Sequence, residues 1–461
     1  MMNTKLTKAA GVGNLECISG SLNIFAKPYM DVGTETSYYT EVFPTNAITQ
    51  TSNVIQFDIT PSSDFISLQD SFIHLKVKIT KEDGTDIDAF THTAAAGQTP
   101  ASGNSIGFIQ APLLTLFNSV DVSLNGHLLS DSYSTYGINA YLQLMLNFSP
   151  PSMNSRLALF GFYHDTNTKL KRADANGTAS GFKTRAQLTA RSNVATFLGP
   201  IFHPLFNQDR WLIPLLNLGL TFKKSTPTWV LKGEGTENFQ YKIESMKVVV
   251  KKVKVRSEET LKIEKELIRA HAAYPIRHSS VKPFHIEASC KQISFANCFG
   301  GRPIPQFAAL VLVDQAHYRG QFSSSPLTFG HYNLETLKIS FDGITYPTPN
   351  GYILNYSDTS FSHLEPYANL FNGGKLKEDY GLGISLASFK EGGFAIYTFN
   401  FGAMNSVALD HTSIKKHATA RLDLTFAQTP NNPSLTALLY QESDETIYIS
   451  SSRQVIRDYF L

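Results

Sequence analysis

The sequence predicts an all-β protein in which one β-sandwich plan of about eight short strands is written twice. Short runs alternate apolar with polar residues along most of the chain. β-branched and aromatic side chains fill the apolar slots, as in sheets with one wet face. A hairpin from Val122 to Leu129 (VSLNGHLL), with Asn-Gly at its turn, returns from Ile339 to Tyr346 (ISFDGITY) with Asp-Gly there. Near the close of each half stands Leu-x-Leu-Thr-Phe, ending at Phe222 and at Phe426. The offsets differ, 343 − 126 = 217 for the turn glycines and 426 − 222 = 204 for the phenylalanines. Two copies of one fold with diverged loops give unequal offsets of this kind.

Bulk properties fit such a duplication. A chain of 461 residues exceeds one core of ordinary size. Hydrophobic residues at 42% and charged residues at 17% describe a folded protein, not a disordered one. Forty basic against 38 acidic side chains leave a formal charge of +2, so no surface-wide field for a polyanion exists and any nucleic-acid contact is local. Cys17, Cys290 and Cys298 form an odd set without CxxC spacing, which predicts free thiols in a reducing compartment. The first 20 residues lack the apolar segment of a signal peptide, and no run approaches the ~18 apolar residues of a membrane span. The chain is therefore expected to act inside a cell, with the glycosylation triplets at Asn176 and Asn355 unused.

In chain order, residues 54–60 (VIQFDIT) and 71–80 (SFIHLKVKIT) read as strands, and the Gly-, Ala- and Ser-rich stretch 81–107 as a long surface loop. After the first hairpin the period changes. Tyr136, Ala140, Tyr141, Leu144, Met145 and Phe148 mark one face of a three-turn helix that Pro150 and Pro151 end. Strands resume over 195–206, 212–222 and 239–255. In the last of these the apolar positions are odd to Ile243, even from Met246 to Val250 and odd again at Val253, a parity slip that predicts bulges. Ser257, Glu258 and Glu259 open a helix read to Pro275, with Ile263, Leu267, Ala270 and Tyr274 on its apolar stripe. It bridges the two halves. Strands at 284–295 and 307–314, the second hairpin, and a helical segment at 360–374 repeat the grammar of the first half.

Motifs that bear chemistry are weak. Gly103 to Gly107 (GNSIG) fits GxSxG, but Ser105 stands in a loop followed by a strand rather than at a strand-to-helix elbow. His285 and Glu287 share a strand face, as in metal-binding double-stranded β-helix enzymes, and would need His331 or His363 as a third ligand; otherwise His285 faces solvent. His363 and Glu365 repeat that spacing on a helical segment. Lys247, Lys251, Lys252, Lys254 and Arg256 are read as a solvated strand edge or as intrachain ion pairs. No Walker A, HExxH or zinc-finger spacing occurs. No catalytic, cofactor-binding or metal-binding residue is assigned. Two alternatives stay open: a bicupin-like metal-dependent enzyme built on His285 and Glu287, and a carbohydrate-binding β-sandwich for which only Trp211 and Trp229 are available.

The ordered series of segments resembles a known family. The lead-in 22–48 (LNIFAKPYMDVGTETSYYTEVFPTNAI), the run 55–79 (IQFDITPSSDFISLQDSFIHLKVKI), the hairpin and Tyr-rich helix within 111–146, the 271–279 segment (HAAYPIRHS) and the stretch 302–347 are together similar to major capsid proteins of Maverick/Polinton elements and adintoviruses. That family belongs to the double jelly-roll lineage of adenovirus hexon and virophage capsids. Ser325-Pro-Leu stands where the family has Asn-Pro-Phe, and the C-terminal tail lacks an Ile-Asp pair, which makes this chain a divergent member. The resemblance implies two tandem eight-stranded jelly rolls with short helices in loops: an arm over 1–20, a first jelly roll over 21–256, a linking helix over 257–275 and a second jelly roll over 276–461. It also implies no enzyme activity, homotrimeric pseudo-hexameric capsomers in an icosahedral shell around double-stranded DNA, contact with neighbouring capsomers and with penton or minor capsid proteins, and no strong direct nucleic-acid binding. Its place would be the virion, after assembly in the nucleus or cytoplasm of a host cell.

Overall fold

The computed structural model describes residues 33–87, 106–129, 134–164, 180–233, 238–356, 362–373, 382–402, 415–427 and 433–458. The expected arm over 1–20, Cys17, Ser105, Asn176 and most of the 81–107 loop lie outside these residues. Among the described residues of the first half, eight strands build a sandwich: Thr34–Val42 (β1), Val54–Ile59 (β2), Phe65–Lys81 (β3), Phe117–Leu124 (β4), His127–Leu128 (β5), Ala195–Pro200 (β6), Leu218–Lys224 (β7) and Phe239–Val255 (β8). The sheet orders are β1-β8-β3-β6 and β2-β7-β4-β5, all antiparallel. First thus pairs with eighth, second with seventh, third with sixth and fourth with fifth. This is a long hairpin wound up on itself, the jelly roll.

The second half repeats it with Ala272–Ile286 (β9), Gln292–Ala296 (β10), Phe307–Asp314 (β11), Leu334–Phe341 (β12), Ile344–Tyr346 (β13), Ile396–Asn400 (β14), Arg421–Phe426 (β15) and Leu435–Ile449 (β16). Its orders are β9-β16-β11-β14 and β10-β15-β12-β13, the first set with eight added to each number. The chain is a double jelly roll. Both hairpins occupy the same place in their units, and at each turn Asn125-Gly126 and Asp342-Gly343 take positive φ (47° and 80°, 51° and 75°), as a two-residue primed turn requires. The two Leu-x-Leu-Thr-Phe runs are β7 and β15, again equivalent strands.

Local predictions meet the structure in detail. Strand β8 slips register against β3 between Ile243 and Ser245 and between Val249 and Lys251, where the apolar parity changes. The helix after the first hairpin, Tyr136–Asn147 (α1), buries Ala140, Tyr141, Leu144 and Met145. The linking helix, Ser257–Arg269 (α2), is shorter than the expected 257–275, and the second unit's first strand starts at Ala272, before the expected boundary at 276. Tyr274 is buried because β9 pairs along the whole of β16, not because a helix carries it there. The 284–295 run is not one strand either. It contains the end of β9, a corner with Ser289 at φ 58°, and β10. A helix Leu364–Gly373 (α3) follows the second hairpin as α1 follows the first.

Because every sheet is antiparallel, connections after odd-numbered strands gather at one end of each sandwich and those after even-numbered strands at the other. Helix α2 leaves β8 and enters β9 at the second of these ends, so both units stand the same way up. Contacts between units agree. At the first end, Tyr141 meets Phe329 with ring centroids 6.1 Å apart, and the Gly233 N–H donates to Phe322 O at 3.0 Å. At the other, Asn125 Nδ2 donates to Arg453 O at 2.9 Å, and Arg453 Nε to Pro214 O at 3.0 Å. Buried residues of both units join one continuous apolar cluster.

Candidate assembly surface

The residues singled out for chemistry do not converge. His285 is exposed, with Nδ1 3.4 Å from Gln315 Oε1, whereas His331 and His363 stack on Tyr356 at 4.0 and 5.9 Å between centroids. Among the described residues, no three His, Cys, Asp or Glu side chains are placed to hold a metal ion. The residues after Ser105 form a short strand, Ile106–Phe108, not the helix that a nucleophile elbow needs. Trp211 is partly exposed, while Trp229 packs into the core beside Gly137 and Gly320, so the two indoles make no common platform. Cys298 is fully buried, which pushes its thiol up to about 12 and makes it inert near neutrality. Among the described residues no helix is long and apolar enough to cross a membrane.

The basic cluster sits on a central strand, which corrects the edge reading: β8 lies between β1 and β3. Intrachain pairing accounts for it. Lys247 meets Glu41 at 2.6 Å, Lys251 meets Asp70 at 2.8 Å and Lys254 meets Glu35 at 3.0 Å. The Lys251 ammonium, with the Ser67 hydroxyl, holds the Asp70 carboxyl below its usual range. These surface pairs add little stability, but they consume cations that a phosphate would need.

A cavity of about 340 Å³ opens in the second unit beside His278, Arg302, Ile304, Lys415 and Glu445. Its carboxylates are matched internally. Arg457 grips Glu445 with Nε at 2.5 Å and Nη2 at 3.0 Å, Arg277 reaches Asp444 at 3.3 Å, and Lys415 reaches Asp458 at 3.1 Å. Such a network ties β9, β16 and the following strand Val455–Asp458 together.

The contact with the most structure is between the two sandwiches. Strand β9 is the edge of its sheet, and its Pro275 and Pro283 fit there because a proline has no N–H to give to a further strand. Along that edge, carbonyls at alternate positions accept side-chain hydrogen bonds from the first unit. Arg210 Nη1 donates to Ala273 O at 2.8 Å, Gln208 Nε2 to Pro275 O, Asn139 Nδ2 to Ser279 O at 3.1 Å and Thr135 Oγ1 to Val281 O at 3.3 Å. A sheet edge is thereby closed without a strand. The donors come from two places only, the start of α1 and the β6–β7 connection. Lys232 completes the join. It is 3% exposed, donates from Nζ to Thr228 O at 3.1 Å and across the interface to Gln321 O at 2.6 Å, and burial lowers its ammonium to about 7.

Among the described residues, the matching strand of the first unit has no such cover. Strand β1 is also a sheet edge, with Tyr38 44%, Tyr39 56% and the following Phe43 63% exposed. Consecutive strand residues point to opposite faces, so exposure of both tyrosines means that β1 overhangs its sandwich. Sequence reading missed both edges and Lys232. The two prolines of β9 at positions eight apart were the available signal.

No protein-family model matches the sequence. The chain is 22% identical over 408 residues to the uncharacterized protein F54H12.2 of Caenorhabditis elegans, an alignment covering 86% of this chain and 91% of that protein. Among solved structures it is similar to a chain of the Sputnik virophage determined by cryo-EM, with TM-score 0.64 and 14% identity over 98% of this chain and 94% of that one. It is similar to the mavirus major capsid protein, with TM-score 0.58 and 11% identity over 98% and 96%. The Faustovirus major capsid protein follows, with TM-score 0.55 and 12% identity over 95% and 93%. At these identities the likeness is one of fold, and it extends over both jelly rolls.

Proposed function

We propose that this chain is a major capsid protein that tiles an icosahedral shell around double-stranded DNA as a homotrimer of pseudo-hexagonal outline, encoded by a virus or element of the Maverick/Polinton and adintovirus type. One observation carries the reading: two jelly rolls of identical strand order stand side by side and the same way up. A chain with two like units presents six similar edges when three copies close into a ring. The fold likeness to capsid proteins supports this, as does the ordered series of family-like segments.

The role is structural. Its work is burial of subunit surface, against its own copies, against neighbouring capsomers and against penton or minor capsid proteins in the virion. No side chain turns over a substrate, and with basic residues of β8 paired to Glu41, Asp70 and Glu35 the chain relies on no strong contact of its own to DNA. Light scattering on the purified chain after size exclusion, followed by electron microscopy, tests the proposal. Three chain masses and hexagonal tiles are expected; a stable monomer at micromolar concentration refutes it.

A further inference from the structure

One buried carboxylate at the seam between the two units is only half used. Glu442, on β16, is 7% exposed and lines a cavity of about 330 Å³ between the sandwiches. Its Oε1 accepts from the Tyr440 hydroxyl at 2.5 Å. Among the described residues no donor reaches Oε2, and that atom is not sealed off by protein, so it opens on the cavity. Nor does a cation stand within ion-pair distance of it among these residues: Arg277, which lines the same cavity, is engaged with Asp444 at 3.3 Å. A carboxylate withdrawn from water in this way calls for a donor from outside the chain.

The amides beside it are turned to accept as well. Asn139 Nδ2 donates to Ser279 O, which fixes the amide and leaves its Oδ1 to accept from Gln143 Nε2 at 3.1 Å. Gln143 Nε2 donates again to Ser279 Oγ, so both of its N–H groups are committed. Asn147 Nδ2 is held by Gln143 O at 2.8 Å. Gln143 and Asn147 line the cavity, and among the described residues nothing donates to Gln143 Oε1 or Asn147 Oδ1. Phe148, Phe202 and Phe206 supply its apolar walls, and an aromatic face attracts a cation. We propose that this cavity binds a primary alkylammonium group, with the nitrogen at Glu442 Oε2 and the side-chain oxygens of Gln143 and Asn147 and the stem among the three phenylalanines. An ammonium brings three donors and no acceptor, which is what such a set of oxygens takes. Arg156, exposed where it lines the cavity, opposes a second positive charge, so a monocation is expected rather than a polyamine. The site lies within one chain and stands apart from the shell-forming reading.

Two sources carry this group, a free amine and the lysine side chain of another chain. Saturation-transfer NMR titrations of the folded protein use n-butylammonium, n-butanol as its uncharged counterpart, and Nα-acetyl-lysine methylamide. The ammonium is expected to bind saturably and at least about tenfold more tightly than the alcohol, a comparison on wild type that needs no variant. Glu442→Gln keeps an acceptor for Tyr440 and removes the charge; far-ultraviolet circular dichroism checks its fold. This variant is expected to weaken ammonium binding at least about tenfold and to leave alcohol binding unchanged. The lysine amide binding as tightly as n-butylammonium assigns the site to a side chain of another chain, and binding more weakly assigns it to a free amine. No saturable binding of the ammonium, or a preference or a loss smaller than these, overturns the site and leaves the shell-forming role untouched.

Discussion

Lys232 gives the double jelly roll a measurable pH dependence. Its ammonium lies between the two units with the carbonyls of Thr228 and Gln321 as its partners among the described residues, and burial lowers it from 10.5 to about 7. Below pH 7 both the folded and unfolded chains carry the proton, and the folded state bears the full penalty of a buried cation. Between 7 and 10.5 the unfolded chain still binds the proton while the folded chain has released it, so stability rises with pH across that window. The difference of 10.5 − 7, about 3.5 pH units, sets a ceiling of roughly 5 kcal/mol, gained at no more than about 1.4 kcal/mol per pH unit. Cys298, raised from 9.0 to about 12, and buried tyrosines such as Tyr274, raised from 10.0 to about 12, act in the opposite sense above about pH 9, equally in wild type and in a Lys232 variant, so the difference between the two chains isolates the lysine. The assay is urea unfolding at fixed temperature from pH 7.5 to 9.5, followed by fluorescence of Trp229, three residues from the lysine. Wild type is expected to gain up to about 3 kcal/mol over that interval, and Lys232→Met to lose this rise. Parallel pH dependence in the two chains would refute a buried, uncompensated ammonium.

Equivalent positions of the two units are expected to respond alike. Phe222 and Phe426 are almost fully buried at the ends of β7 and β15, and truncating either to Ala is expected to cost about 3–5 kcal/mol in urea unfolding. Gly126→Ala and Gly343→Ala meet open space yet force φ near +80° and +75° on an L-residue, so each is expected to cost about 1–2 kcal/mol and to lower the melting temperature by similar amounts. Arg457→Ala leaves Glu445, 5% exposed, without its bidentate partner, and a loss of about 3–5 kcal/mol is expected, read by the same unfolding curves. Elemental analysis of the purified chain is expected to find no stoichiometric iron, manganese or zinc; metal lost on His285→Ala would favour the metalloprotein alternative.

The parts of the fold that the sequence made legible are those where one local period decides the outcome. Alternation marked most strands, the 3.6-residue period marked α1, and the parity slips in β8 located both of its bulges. Elsewhere two periods agreed by accident. Ile263, Leu267, Ala270 and Tyr274 continue a helical stripe past Arg269, but the backbone is already extended at Ala270, and Tyr274 is fixed by its hydroxyl, which donates to Trp211 O and accepts from the Ile213 N–H. The corner between β9 and β10 was hidden because Ser289, not Gly or Pro, takes the left-handed conformation. The surface between the units was illegible for another reason. Arg210, Gln208, Asn139 and Thr135 act through the carbonyls of β9, which have the same chemistry at every residue.

Where the repeat survives in the sequence is itself informative. The two hairpins and the two Leu-x-Leu-Thr-Phe strands are not scattered: β7 pairs with β4 through Leu220 and Val122, and β15 pairs with β12 through Leu422 and Ile339. In both units they form one patch of three adjoining strands in the same sheet. Apart from Asn125, whose Nδ2 reaches Arg453 O of the second unit, the patch is built from turn geometry and core packing within its own unit, so one solution serves both copies. The first strands diverge because their neighbours differ. β9 meets its own chain and carries two prolines on a closed edge, while β1 carries neither proline nor lysine and shows Tyr38 and Tyr39 on its two faces.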